Sequence, residues 1–146
     1  MSQSSTVESL KVLLADQYAL YLKTQNYHWN VIGPQFLMLH ELFESQYKDL
    51  AEAIDTTAEL IRGLGVKAPA SLEWYNKVAR IKSGHEEATA QEMLKTLLSD
   101  QETIQKNLKA VLEIAASNGD DVVVDFITER LTTHRKVAWM LRSCLG

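Results

Sequence analysis

Helical periodicity runs through nearly the whole chain and gives way at only a few places. Leu10, Leu13, Leu14, Ala19, Leu20 and Tyr27 recur at the spacing of one helical face between Val7 and about Val31. Gly33 and Pro34 interrupt that run, because a proline disfavours helix in the residue before it. A second run extends from about Pro34 to Arg62, with Phe36, Leu39, Phe43, Tyr47, Leu50, Ile54 and Ile61 on one face. It closes at Gly63-Leu64-Gly65, where glycine ends a helix readily. Two more runs follow, Thr89 to Ser117 and Asp120 to Leu141, separated by Asn118-Gly119. The stretch from Val66 to Gly84 is too long for a tight turn, and Ser71 to Arg80 can cap and form a short helix inside it. The expected fold is all-α: a four-helix bundle with a short extra helix in the long connection between the second and third helices.

Composition narrows the class further. With 146 residues, two prolines and six glycines, one domain over residues 1–146 is expected, its polar start at residues 1–6 flexible. A chain of this size buries roughly 70% of the surface it exposes when unfolded. No apolar stretch approaches the roughly 20 residues needed to span a bilayer. The opening MSQSSTVESL lacks the basic start and apolar block of a secretory signal. A single cysteine, Cys144, cannot form an intrachain disulfide and fits a reducing compartment, so a cytoplasmic location is expected. The formal charge is −4, and no Lys or Arg precedes Lys11. Neither end therefore reads as a cationic arm for gripping nucleic acid. No glycine-rich phosphate loop and no Ser or Cys nucleophilic triad is apparent.

The chemistry concentrates in His28, His40, Glu44, Asp55 and Glu59. His40/Glu44 and Asp55/Glu59 are each four residues apart in one helix, so each pair shares a face. Two imidazoles with three carboxylates form a mixed nitrogen and oxygen donor set that suits iron, manganese or zinc. Carboxylates at this spacing are also common on solvated helix surfaces, and a histidine beside a tryptophan can simply be a packed ring. The Glu-x-x-His motif of intra-bundle di-iron centres is missing: Gln25, Leu37, Lys82 and Leu131 stand three residues before the four histidines. Any metal site must be built differently.

Geometry suggests how. The Gly33-Pro34 turn brings His28 and His40 level in an antiparallel hairpin. At about 100° per residue, with His40 at zero, Glu44 falls near 40°, Asp55 near 60° and Glu59 near 100°. All flank the apolar face. Glu44 and Asp55 are separated by roughly 16 Å along the axis, too far for one metal. Two copies of this helix packed antiparallel, crossing near Leu50 and Ala51, bring Asp55 and Glu59 of one beside His40 and Glu44 of the other. Such an isologous contact generates two equivalent sites shared between subunits.

The stretch His28-Trp29-Asn30-Val31-x-Gly33, then Phe36-x-x-Leu39-His40-x-x-Phe43-Glu44-x-x-Tyr47-x-x-Leu50 and Asp55-x-x-Ala58-Glu59, resembles the signature of the Dps family, the bacterial mini-ferritins. The helix layout and the final Trp139-Met140-Leu141-Arg142 resemble the family too. The resemblance implies a ferritin-like bundle and a ferroxidase centre on His28, His40, Glu44, Asp55 and Glu59. It implies a hollow shell of twelve subunits with these sites at two-fold interfaces. The family usually has Asp where this chain has Glu44, and the extra methylene leaves direct or water-mediated ligation open. Trp29 and Trp139 match positions that can donate electrons to iron, although burial of a large aromatic is an alternative for Trp139. Trp74 receives no chemistry. Asp121, Asp125 and Glu129 fall where the family has acidic pores that guide ferrous ions inward. A helix dipole alone explains Asp121 well and Glu129 poorly.

The expected activity is ferrous iron binding, oxidation and storage of ferric mineral. Hydrogen peroxide is the oxidant that the resemblance implies, and zinc or manganese are the expected competitors. Two rivals stand beside it. One is a DNA-binding protein of the nucleoid, disfavoured by the negative charge and the missing basic tail. The other is a metal-free helical scaffold, which leaves the clustered histidines and carboxylates without purpose.

Overall fold

The computed structural model describes residues 2–146. Its elements in chain order are α1 (Ser2–Asn30), α2 (Phe36–Gly63), α3 (Leu72–Val78), α4 (Ala90–Ser117) and α5 (Asp121–Leu145), with no strand among the described residues. α1 packs on α2 and α4, α4 packs on α5, and α3 lies against α1. No helix among the described residues is long and apolar enough to cross a membrane.

The long helices form where the periodicity placed them, and the boundaries follow from capping. Ser71 accepts a hydrogen bond from the Trp74 N–H at 3.1 Å and starts α3. Thr89 and Glu92 form a reciprocal capping box at the start of α4. Asp120 lies just outside α5 and accepts from the Val123 N–H at 3.1 Å. Two ends differ from expectation. α1 begins at Ser2, ahead of Val7, because Thr6 is already buried and takes a hydrogen bond from Asn118 at 2.8 Å. α5 continues past Leu141 to Leu145, with Cys144 half-buried in its last turn.

The core is continuous along the bundle. Leu10, Leu13, Leu14 and Leu20 from α1 meet Leu39, Phe43, Leu50 and Ile61 from α2, Met93, Leu97, Ile104 and Leu108 from α4, and Ile127 and Leu141 from α5. Phe36, expected on the apolar face of α2, is 40% exposed. Its ring serves the histidine pair instead.

α1 is flanked by three elements and buries polar groups that periodicity does not flag. Asp16 is fully buried. It accepts from the backbone N–H groups of Arg80 at 2.6 Å and Ile81 at 3.1 Å, and from the Asn107 side chain. This carboxylate fastens the crossover to α1 and α4. Two turns further along α1, Lys23 pairs with Asp100 of α4 at 2.8 Å, both largely buried. Burial pushes the Asp100 carboxyl up, and the Lys23 ammonium opposes that shift. The crossover approaches so closely at Gly84 that a Cβ there would lie 2.9 Å from Tyr27 and Lys23.

Candidate metal centre

The hairpin turn between α1 and α2 sets the site. Gly33 adopts φ +121°, a backbone region that other residues rarely enter, and its carbonyl accepts from the Phe36 N–H at 3.0 Å. The turn brings the end of α1 level with the start of α2, and His28 meets His40.

The two imidazoles are tied to each other's main chain. His28 Nδ1 lies 2.7 Å from the His40 carbonyl oxygen, and His40 Nδ1 lies 2.7 Å from the His28 carbonyl oxygen. A carbonyl only accepts, so each Nδ1 carries the proton and donates it. The His28 carbonyl belongs to the last turn of α1, where oxygens lack helical partners, and His40 satisfies it. Each ring is thereby fixed in one tautomer with its Nε2 lone pair free for a metal. The rings stack with centroids 3.9 Å apart at 15°, and Phe36 stacks on the outer side of His40 at 5.0 Å. Tyr47 leans on His28 at 5.3 Å.

Glu44 stands one turn along α2 from His40. One ligand atom from each of His28, His40 and Glu44 lies within 4.8 Å of the other two. Lys48, a further turn on, donates to Glu44 Oε2 and forms an ion pair with it. The Lys48 ammonium holds the Glu44 carboxyl below its ordinary range, and the two histidines add to the effect. Sequence reading missed Lys48, although the i,i+4 spacing to Glu44 was there to be seen.

Asp55 and Glu59 are exposed on the same helix and do not join this group within the chain. Their place further along α2 keeps them from reaching the histidines of their own subunit. Apolar side chains surround the histidine end in the open: Trp29 is 63% exposed, Ile32 78% and Leu37 64%. Trp139 is also exposed, so burial within the subunit does not account for it. Asp121, Asp125 and Glu129 all face outward from α5.

The bundle interior holds a second polar group, which sequence reading also missed. Arg130 forks onto Asp49 at 3.1 and 2.9 Å and donates to His134 Nε2 at 3.0 Å. His134 Nδ1 donates to Gln101 at 2.7 Å. Burial, with Arg130 adding to it, lowers the His134 pKa to about 3, so the ring is neutral. Its remaining lone pair faces a guanidinium, which leaves none for a metal there.

A bundle of this topology, with a nitrogen and oxygen donor cluster at its hairpin, defines a ferritin-like protein, and residues 7–146 match the ferritin-like domain family. The DNA protection during starvation protein 2 of Bacillus anthracis is 37% identical over 140 residues, covering 96% of each chain. The crystal structure of a Dps protein from Bacillus brevis superposes with a TM-score of 0.96 at 31% identity, covering 99% of this chain and 97% of that one. A Dps protein from Vibrio cholerae O1, described as a member of a superfamily of ferritin-like diiron-carboxylate proteins, gives 0.96 at 29% identity, covering 99% and 91%. The chain belongs to the Dps family.

Proposed function

We propose that this protein oxidises ferrous iron at sites shared between two subunits and stores the ferric product in a hollow twelve-subunit shell. The observation that carries the reading is the reciprocal His28–His40 clasp, which presents two free imidazole nitrogens beside Glu44. Asp55 and Glu59 supply the missing oxygens from a partner whose α2 crosses antiparallel, with exposed Ala51 at the crossing. The exposed apolar belt around Trp29, Ile32 and Leu37 supports a partner covering this end, since an apolar patch of that kind marks an interaction surface.

Iron is the substrate here, and the residues bind and orient it. The imidazoles favour ferrous iron, and the carboxylates stabilise the ferric charge that develops. Two ferrous ions each give one electron to one hydrogen peroxide. The O–O bond breaks, and two hydroxides form with two ferric ions, which hydrolyse to mineral and release protons. Removing ferrous iron and peroxide together protects a cytoplasm from oxidative damage. In this reading Trp29, beside His28, and Trp139 serve as electron donors, and Asp121, Asp125 and Glu129, exposed on α5, line an iron-entry pore. Zinc and manganese compete for the same donors.

Adding ferrous iron anaerobically to the purified assembly, then peroxide, tests this reading. A soluble ferric product eluting with the large assembly is expected. Precipitation of ferric oxide at the rate seen without protein refutes it.

A further inference from the structure

Glu44, clustered with the two histidines, is also bonded to a cation of its own helix. The ammonium of Lys48 donates to Oε2 of Glu44, within the group whose ligand atoms lie 4.8 Å or less apart. Lys48 is the only Lys or Arg between His40 and Glu59. At about 100° per residue it falls near 80°, on the same arc as Glu44, Asp55 and Glu59. The next cation on that arc, Arg62, is tied to the Val66 carbonyl at 3.2 Å. An acidic and imidazole stripe therefore carries one positive charge in its middle, bonded to a carboxylate that the ferroxidase reading needs.

We propose that Lys48 is an internal competitor for Glu44, which delays the second ferrous ion of each site and sets the order of loading. This rests on the ferroxidase reading above. The His28 and His40 nitrogens with the partner's carboxylates take the first ion without disturbing Lys48. A second ion needs Glu44, so the carboxylate must exchange the ammonium for the metal, and the displaced ammonium repels the arriving dication. The side chain at position 44 makes this possible. Glu N-terminal to Lys at i,i+4 is the favourable orientation for a helical ion pair, and the longer stem of Glu serves it. Within the subunit the Lys48 side chain is 63% exposed and, among the described residues, Glu44 is the one partner its ammonium has there, so the pair can part without breaking any other contact of that chain.

The test uses the assembled protein and cobalt(II), which binds such donors without turning over. Anaerobic titration followed by calorimetry and visible absorption gives both affinities for the wild type, Lys48→Met, Lys48→Arg and His28→Ala. Lys48→Met is expected to tighten the weaker affinity by about two- to tenfold and leave the stronger one unchanged, with Lys48→Arg close to wild type. Superposable wild-type and Lys48→Met isotherms, with His28→Ala losing sites, overturn the role of Lys48 and leave the ferroxidase reading standing. No cobalt uptake by the wild type overturns both.

Discussion

His28 and His40 each donate their Nδ1–H to the other's backbone carbonyl at 2.7 Å, and this reciprocal pair fixes how the two imidazoles are presented. Asp55 and Glu59 lie further along α2, outside the group that His28, His40 and Glu44 form in one subunit, and the proposed site takes them from a partner. That division gives an unusually direct test.

His28→Ala and Asp55→Asn should each lower the rate of peroxide-driven ferrous oxidation by about 10–100-fold. Unfolding the two variants together and reassembling them should restore activity. In a mixed pair, one site inherits the intact His28 of one subunit and the intact Asp55 of the other. Random assembly therefore recovers about a quarter of the wild-type sites. If both residues served one chain, mixing would restore nothing, and the rate would stay at that of the separate variants.

Gly33→Ala should destabilise the fold by about 1–3 kcal/mol, because φ +121° strains any residue with a Cβ. Space is not the obstacle, since no atom lies within 4 Å of the added carbon. Denaturant unfolding measures the cost, and cobalt binding shows whether the shifted turn loosens the histidine pair.

Stability should fall as the pH drops below about 6.5. His134 has its folded pKa lowered to about 3, so the unfolded chain binds the proton first. This group's contribution is complete above pH 6.5 and is lost progressively between there and about pH 3, at no more than about 1.4 kcal/mol per pH unit. His134→Gln should flatten that part of the profile, read from urea midpoints at several pH values. An unchanged slope in the variant would remove His134 from the account.

Asp16→Ala should lower stability by about 3 kcal/mol, because it leaves the Arg80 and Ile81 N–H groups without their acceptor. Limited proteolysis should then cut first in the crossover between α3 and α4, while wild type resists there.

The local parts of this design were legible in the sequence. The caps at Ser71 and Thr89 act within three residues, and the hairpin placed His28 level with His40 from spacing alone. What escaped depends on partners distant in the chain. Nothing near Asp16 announces Asn107, and nothing near His134 announces Gln101. α1 also buries Asp16, Gln17 and Lys23 beside its leucines, polar groups that apolar periodicity does not flag. Phe36 was misplaced because periodicity cannot tell a core face from one that supports a histidine. Lys48 stands at i,i+4 from Glu44 and its ion pair is legible there, but a lysine is not a ligand type and a search for donors does not single it out.

Every residue type supplies a main-chain oxygen, so the acceptors that hold the two imidazoles cannot be deleted by substituting a side chain. The gap between the nitrogen donors is thus insulated from most sequence drift around it. Only changes that shift the backbone itself, above all in the bend after α1, can retune that gap. An engineer wanting a different ion should begin with the bend.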